Sequence, residues 1–136
     1  MKLIKIVKAY TAAEQMRWIQ YYNGKEMVKE ERELPFEQAS VLVRIMTMFK
    51  SYYEDYVSSE KSLANQYAKK DENGNIVIND GSIIFDTIEN KRSFDNEIKT
   101  LKETEIEVDG LPMQMPKPNT VKCSWLEALD GVIEFV

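Results

Sequence analysis

Histidine is absent from the 136 residues, and cysteine occurs once, at Cys123. Without histidine, the commonest general base and the commonest metal ligand are both missing. A single cysteine excludes an internal disulfide and a cysteine metal cluster. The five glycines stand at turn-like positions, so there is no glycine-rich phosphate loop and no Gly-x-Ser-x-Gly elbow. No apolar run reaches the roughly 18 residues that a membrane-spanning helix needs. The opening Met1-Lys-Leu-Ile-Lys-Ile-Val-Lys8 lacks the apolar stretch and cleavage site of a signal peptide, so a cytoplasmic protein is expected. Net charge is −5, from 18 basic and 23 acidic residues. No clustered basic surface is visible, which argues against direct nucleic-acid binding.

What is present is a long helical pattern. Ala39, Leu42, Met46, Phe49, Tyr53, Tyr56, Leu63 and Tyr67 follow a 3-4 repeat that only Glu60 interrupts. This spacing predicts one helix from about Pro35 to Lys70 with a continuous apolar stripe. At the usual rise it would be roughly 54 Å long. A stripe of that length must find partners, because the helix is not stable alone in water.

The remaining chain supplies those partners. Residues 3–8 are β-branched and read as a strand. Thr11-Ala-Ala-Glu14 has capping-box spacing, which predicts a first helix over about Ala12–Tyr22. Asn23-Gly24 either ends that helix or turns a hairpin between Trp18–Tyr22 and Glu26–Lys29. The charged stretch Lys25–Glu33 reads as a short second helical piece. Ile76–Phe85, two β-branched runs around Asp80-Gly81, predicts a hairpin. A helix over about Lys91–Lys102, capped by Asn90, follows. Thr104–Val108 alternates as a strand, and Leu111–Asn119, with three prolines, reads as a loop. Ser124-Trp-Leu-Glu127 repeats the capping-box spacing, Gly131 stops that helix, and Val132–Phe135 fits a last strand.

Together these pieces predict one α+β domain. A long central helix carries antiparallel helices folded back on it, with a hairpin at its far tip. Strands near 3–8 and 104–108 would pair antiparallel beside its middle, with Ile106 and Val108 inward and Glu105 and Glu107 outward.

Chemistry-bearing candidates are sparse. Carboxylate pairs such as Glu54/Asp55 and Glu103/Glu105 read as solvated faces. Asp71-Glu-Asn-Gly-Asn75 reads as a turn, since it lacks the ligand spacing of a calcium loop. Cys123 reads as a small core residue. No catalytic residue, metal site or cofactor is expected. One stretch points outward: Arg44, Met48 and Tyr52 combine the arginine and tyrosine of interface hot spots with adaptable methionine. They are the candidate interaction residues.

The segment Leu63-Ala-Asn-Gln-Tyr67-Ala-Lys-Lys-Asp-Glu-Asn-Gly-Asn-Ile-Val77 resembles small bacteriophage-encoded proteins. So do Glu89-Asn-Lys-Arg-Ser-Phe94-Asp-Asn-Glu, Glu103-Thr-Glu-Ile-Glu-Val108 and Glu33-Leu-Pro-Phe-Glu-Gln-Ala39. These proteins are similar in layout to prefoldin-like helix–hairpin–helix modules, and the resemblance spans roughly residues 33–108. It implies a role through binding: a non-enzymatic protein that engages a host protein or small ligand, for instance in a defence pathway. The alternative is a virion or tail-assembly accessory. A homo-oligomer, most simply a dimer, is expected, because a striped helix can pack against its own copy.

Overall fold

The computed structural model describes residues 1–136. Its spine is a single helix, α2 (Phe36–Tyr67), preceded by α1 (Leu3–Arg17), β1 (Trp18–Tyr22) and β2 (Met27–Glu31). After it come β3 (Ile78–Asn79), β4 (Ser82–Ile83), α3 (Ile88–Lys102), β5 (Met113–Met115), α4 (Cys123–Leu129) and β6 (Ile133–Phe135). The fold is α+β, with α1 and α3 packed along successive halves of α2. The spine is unbroken, as the absence of Gly and Pro between Phe36 and Tyr67 demands. No helix is long and apolar enough to cross a membrane.

Residues 3–8 form helix, contrary to the strand reading. Leu3, Ile6, Ala9, Ala13 and Met16 are all buried and make one helical face that begins at the third residue. Continuous burial of that face against α2 outweighs the β preference of Ile4, Ile6 and Val7. Thr11 therefore caps nothing: it lies inside α1 and its hydroxyl donates to the Val7 carbonyl.

Asn23-Gly24 is the hairpin turn. β1 and β2 pair antiparallel from Trp18↔Glu31 to Tyr22↔Met27, which replaces the expected helix to Tyr22 and the helical piece over Lys25–Glu33. Four residues close the loop. The Asn23 side-chain oxygen accepts from the Lys25 and Glu26 amides, and Gly24 takes φ +95°.

The expected 3–8/104–108 sheet contracts to one antiparallel bridge, Lys2↔Glu105. Leu3 N–H donates to the Thr104 carbonyl and Ile106 N–H to the Met1 carbonyl. The start of α1 and the end of α3 still meet beside the spine, and the alternation holds. Ile106 and Val108 pack on the core, while Glu105 and Glu107 are exposed.

The far tip is the β3–β4 hairpin, with positive φ at Asp80 and Gly81 as a type I′ turn requires. It laces onto the spine's exit through Val77 N–H to Lys69 O and Lys69 N–H to Ile84 O. α3 starts earlier than expected, and Thr87, not Asn90, caps it by accepting from the Asn90 amide. In the proline-rich loop, Met113–Met115 forms a strand parallel to β6, which the loop reading lacked. α4 has no side-chain cap, so Ser124 does not serve as its box residue. Gly131 ends it at φ +76°.

Fifteen buried residues from α1, the first half of α2, β5, α4, β6 and the turn between the last two make one core, centred on Phe49, Ile6, Leu42 and Ile45. Beyond Met46 and Phe49 the spine is thinly covered. Its distal half and α3 bury Tyr56, Ala64 and Ile98.

Candidate functional site

Two features stand out on the proximal body. The first is a cleft of about 660 Å³ where α1, α2, β5, α4 and the proline-rich loop converge. Its apolar wall includes Met16, Leu42, Met115 and Trp125, all buried members of the core. Over that wall stand three cations, Arg32, Lys117 and Lys122, against one acid, Glu33. None of the three cations makes an ion pair, since the molecule's salt bridges engage other basic groups. The Arg32 Nε is buried without an acceptor, an unusual state for so polar a donor.

The cleft's walls are held in place by hydrogen bonds. Gln38, buried on the spine, donates from Nε2 to the Pro116 carbonyl at 3.2 Å, which pins the loop. Trp125 Nε1 donates to Gln15 Oε1 at 2.8 Å, and Lys122 Nζ lies 5.3 Å from the Trp125 ring centroid. Arg32 N–H donates to the Arg17 carbonyl, so the residue is anchored as the hairpin rejoins α1. The sequence reading missed Arg32, Lys117 and Lys122: they are 85 to 90 positions or only a loop apart, and nothing periodic links them.

The second feature is the β1–β2 hairpin. Tyr22 and Met27, a cross-strand pair, are 64% and 66% exposed, and Tyr21 beside them is also exposed. At its base Trp18 is flanked by Arg17 and Lys29, each within cation–π distance of the ring. Two ion pairs, Arg17–Glu31 and Lys29–Glu14, tie the hairpin base to α1.

The expected interaction residues fall on α2 at four-residue intervals. Arg44 is exposed, while Met48 and Tyr52 are half-buried and pack against the core. On the opposite flank of the buried stripe, Phe36, Val43 and Val57 are exposed at multiples of seven. Tyr53 stacks on Tyr10 of α1 with ring centroids 4.3 Å apart. Burial, then the Glu14 carboxylate, pushes the Tyr10 phenol above its ordinary range. Burial and Glu60 do the same to Tyr56 more strongly. Both tyrosines stay protonated at neutral pH and act as packing groups.

Cys123 is exposed, so its core assignment is corrected: it opens α4 on the solvent side. Glu54, Asp55, Glu103 and Glu105 are exposed. Asp71 spends one carboxylate oxygen on the Asn73 and Asn75 amides, the geometry of an Asx turn.

No protein-family model, curated protein or solved structure matches this chain.

Proposed function

We propose that this is a phage-type interaction protein that works by binding rather than catalysis, engaging a host protein or small ligand in the host cytoplasm, for instance one of a defence pathway. The observation that carries the reading is the β1–β2 hairpin tip. Tyr22 and Met27 are large apolar side chains paired across strands and open to solvent. Tyrosine anchors interfaces at low entropic cost, and methionine adapts to varied partners. Both edges of this two-stranded ribbon are unpaired, so a partner strand can add to it.

Replacing Tyr21, Tyr22 and Met27 together by Ser tests this. The residues are exposed, so the melting temperature should stay close to wild type. Partners captured by the wild-type protein from infected-cell lysate should be lost. Retention of the same partners by the triple variant moves the interface elsewhere.

The line of Phe36, Val43 and Val57 favours a second reading, a virion or tail-assembly accessory that packs against other subunits. Phe36 is 85% exposed, and seven-residue spacing suits helix–helix contact. The same line supports self-association as a dimer, with Arg44, Met48 and Tyr52 as contacts on the other flank. Sedimentation velocity should show a dimer at micromolar concentration. Substituting Phe36 and Val43 by Ser should yield a monomer if this line is the seam; a wild-type monomer removes the oligomer from the proposal.

A further inference from the structure

We propose that the cleft between the spine and the proline-rich loop is a receptor site for a small organic anion: a phosphate or carboxylate carried on an aromatic or apolar body. Four observations converge on that ligand class. The cleft's volume of about 660 Å³ lies within the range that holds small molecules. Its floor is apolar, where the Trp125 indole, 8% exposed, and the core side chains Met16 and Leu42 lie beneath the rim. Its rim concentrates Arg32, Lys117 and Lys122 against a single Glu33, although the whole chain carries a net charge of −5. And the Arg32 Nε is buried with its hydrogen-bonding capacity unspent.

The last point separates a ligand site from a solvated cationic rim. A lysine in water is satisfied by water, whereas a buried guanidinium donor without an acceptor costs free energy in the unliganded protein. The Arg32 Nε has no accessible surface in the unliganded chain, so an anion in the cleft becomes its acceptor by turning the side chain toward the ligand, and a charged acceptor strengthens the bond. Arg32 presents a planar fork suited to two oxygens of one phosphate or carboxylate. Lys117 and Lys122 enter from the facing loop and add charge without competing for that geometry. The Gln38–Pro116 hydrogen bond and the β5–β6 pairing hold the loop before the ligand arrives, which lowers the ordering cost of binding.

This site deepens the binding reading and is separable from the hairpin tip, which does not line the cleft. The test uses the full chain with Trp18→Phe, so that Trp125 is the sole fluorophore of the two tryptophans. Phenyl phosphate and phenylacetate are titrated as probes, with phenol as the neutral control and inorganic phosphate as the bodiless one. Saturable change in Trp125 emission is expected with at least one of the anionic aromatics, weakening as salt rises. The better probe identifies the head group. Phenol and inorganic phosphate should each bind at least about tenfold more weakly than that probe.

Arg32→Gln should lose about tenfold or more in affinity. Because Arg32 is half-buried, the exposed pair Lys117→Gln and Lys122→Gln provides a variant that leaves the fold intact; it too should weaken binding. Equal binding of phenol and the anions, or no saturable response with any probe, overturns the proposal. So does unchanged affinity in the double-lysine variant together with Arg32→Gln. The Tyr21, Tyr22 and Met27 serine variant should bind the probe as wild type does. Lost partner capture and lost anion binding are therefore independent results.

Discussion

Phe49→Asp leaves no folded protein at 25 °C. The ring is 0% exposed and sits in the cluster that joins α1, α2, β5, α4 and β6. Truncation to Ala alone costs about 3–5 kcal/mol through lost transfer energy and the cavity left behind. Aspartate adds an unpaired charge in the same place, a further cost of several kcal/mol at least. A domain of this size has about 5–15 kcal/mol in total. The neighbouring stripe position behaves differently. Tyr53 is half-buried, and its stack on Tyr10 contributes roughly 0.5–1.5 kcal/mol beyond the area it covers. Tyr53→Asp should therefore fold with a lowered melting temperature. Circular dichroism melts of Phe49→Ala, Phe49→Asp and Tyr53→Asp read the ordering directly. If Phe49→Ala melts within a few degrees of wild type, Phe49 is not at the centre of the core.

Val57→Pro should unfold one end of the molecule and spare the other. Val57 is exposed, so little packing is lost with its side chain. Proline inside a helix removes a backbone hydrogen bond and clashes with the preceding turn, at about 3 kcal/mol or more. The body has its own fifteen-residue core, to which the spine contributes no fully buried residue beyond Phe49, only the half-buried Tyr52 at its margin. The distal half of α2, the β3–β4 hairpin and α3 bury only Tyr56, Ala64, Ala68 and Ile98. Their shared contacts include the Phe85–Phe94 pair, with ring centroids 5.3 Å apart. That is too little burial to absorb a broken spine. Native-state hydrogen exchange should show the α3 amides deprotected in the variant, while the amides of Val41–Phe49 exchange as in wild type. Equal protection at both ends would show that the distal half is as firmly held as the body. Even in the unmodified protein, α3 amides should exchange faster than those of α1.

The legible elements were those whose local chemistry and long-range burial agree. The 3-4 stripe from Leu42 to Phe49 is buried as expected. Asp80-Gly81 turns a hairpin because both residues adopt positive φ. The misread elements were those where the two conflict. Ile4, Ile6 and Val7 prefer strand locally, yet Leu3, Ile6, Ala9, Ala13 and Met16 continue one buried helical face. Lys25–Glu33 prefers helix locally, yet Met27–Glu31 has a strand partner waiting in Trp18–Tyr22. Met113 and Met115 lie between prolines and take a strand only because Ile133 and Phe135 lie alongside.

The candidate site was hidden for a related reason. Arg44, Met48 and Tyr52 were visible because they share a helix and a spacing. Arg32, Lys117 and Lys122 share neither, and only folding gathers them over the Trp125 wall. By itself, the sequence determined the unbroken spine, the tip hairpin, the fold-back of a helix on each half and the lack of histidine or of an internal disulfide. Each of these depends on periodicity, turn residues or composition, which are properties of neighbouring positions. The tertiary structure alone decided that the chain begins in helix and that the aromatic hairpin stands open. It alone placed three unpaired cations on one cleft. Those outcomes depend on which distant surfaces become available for burial or pairing, and no local preference encodes that.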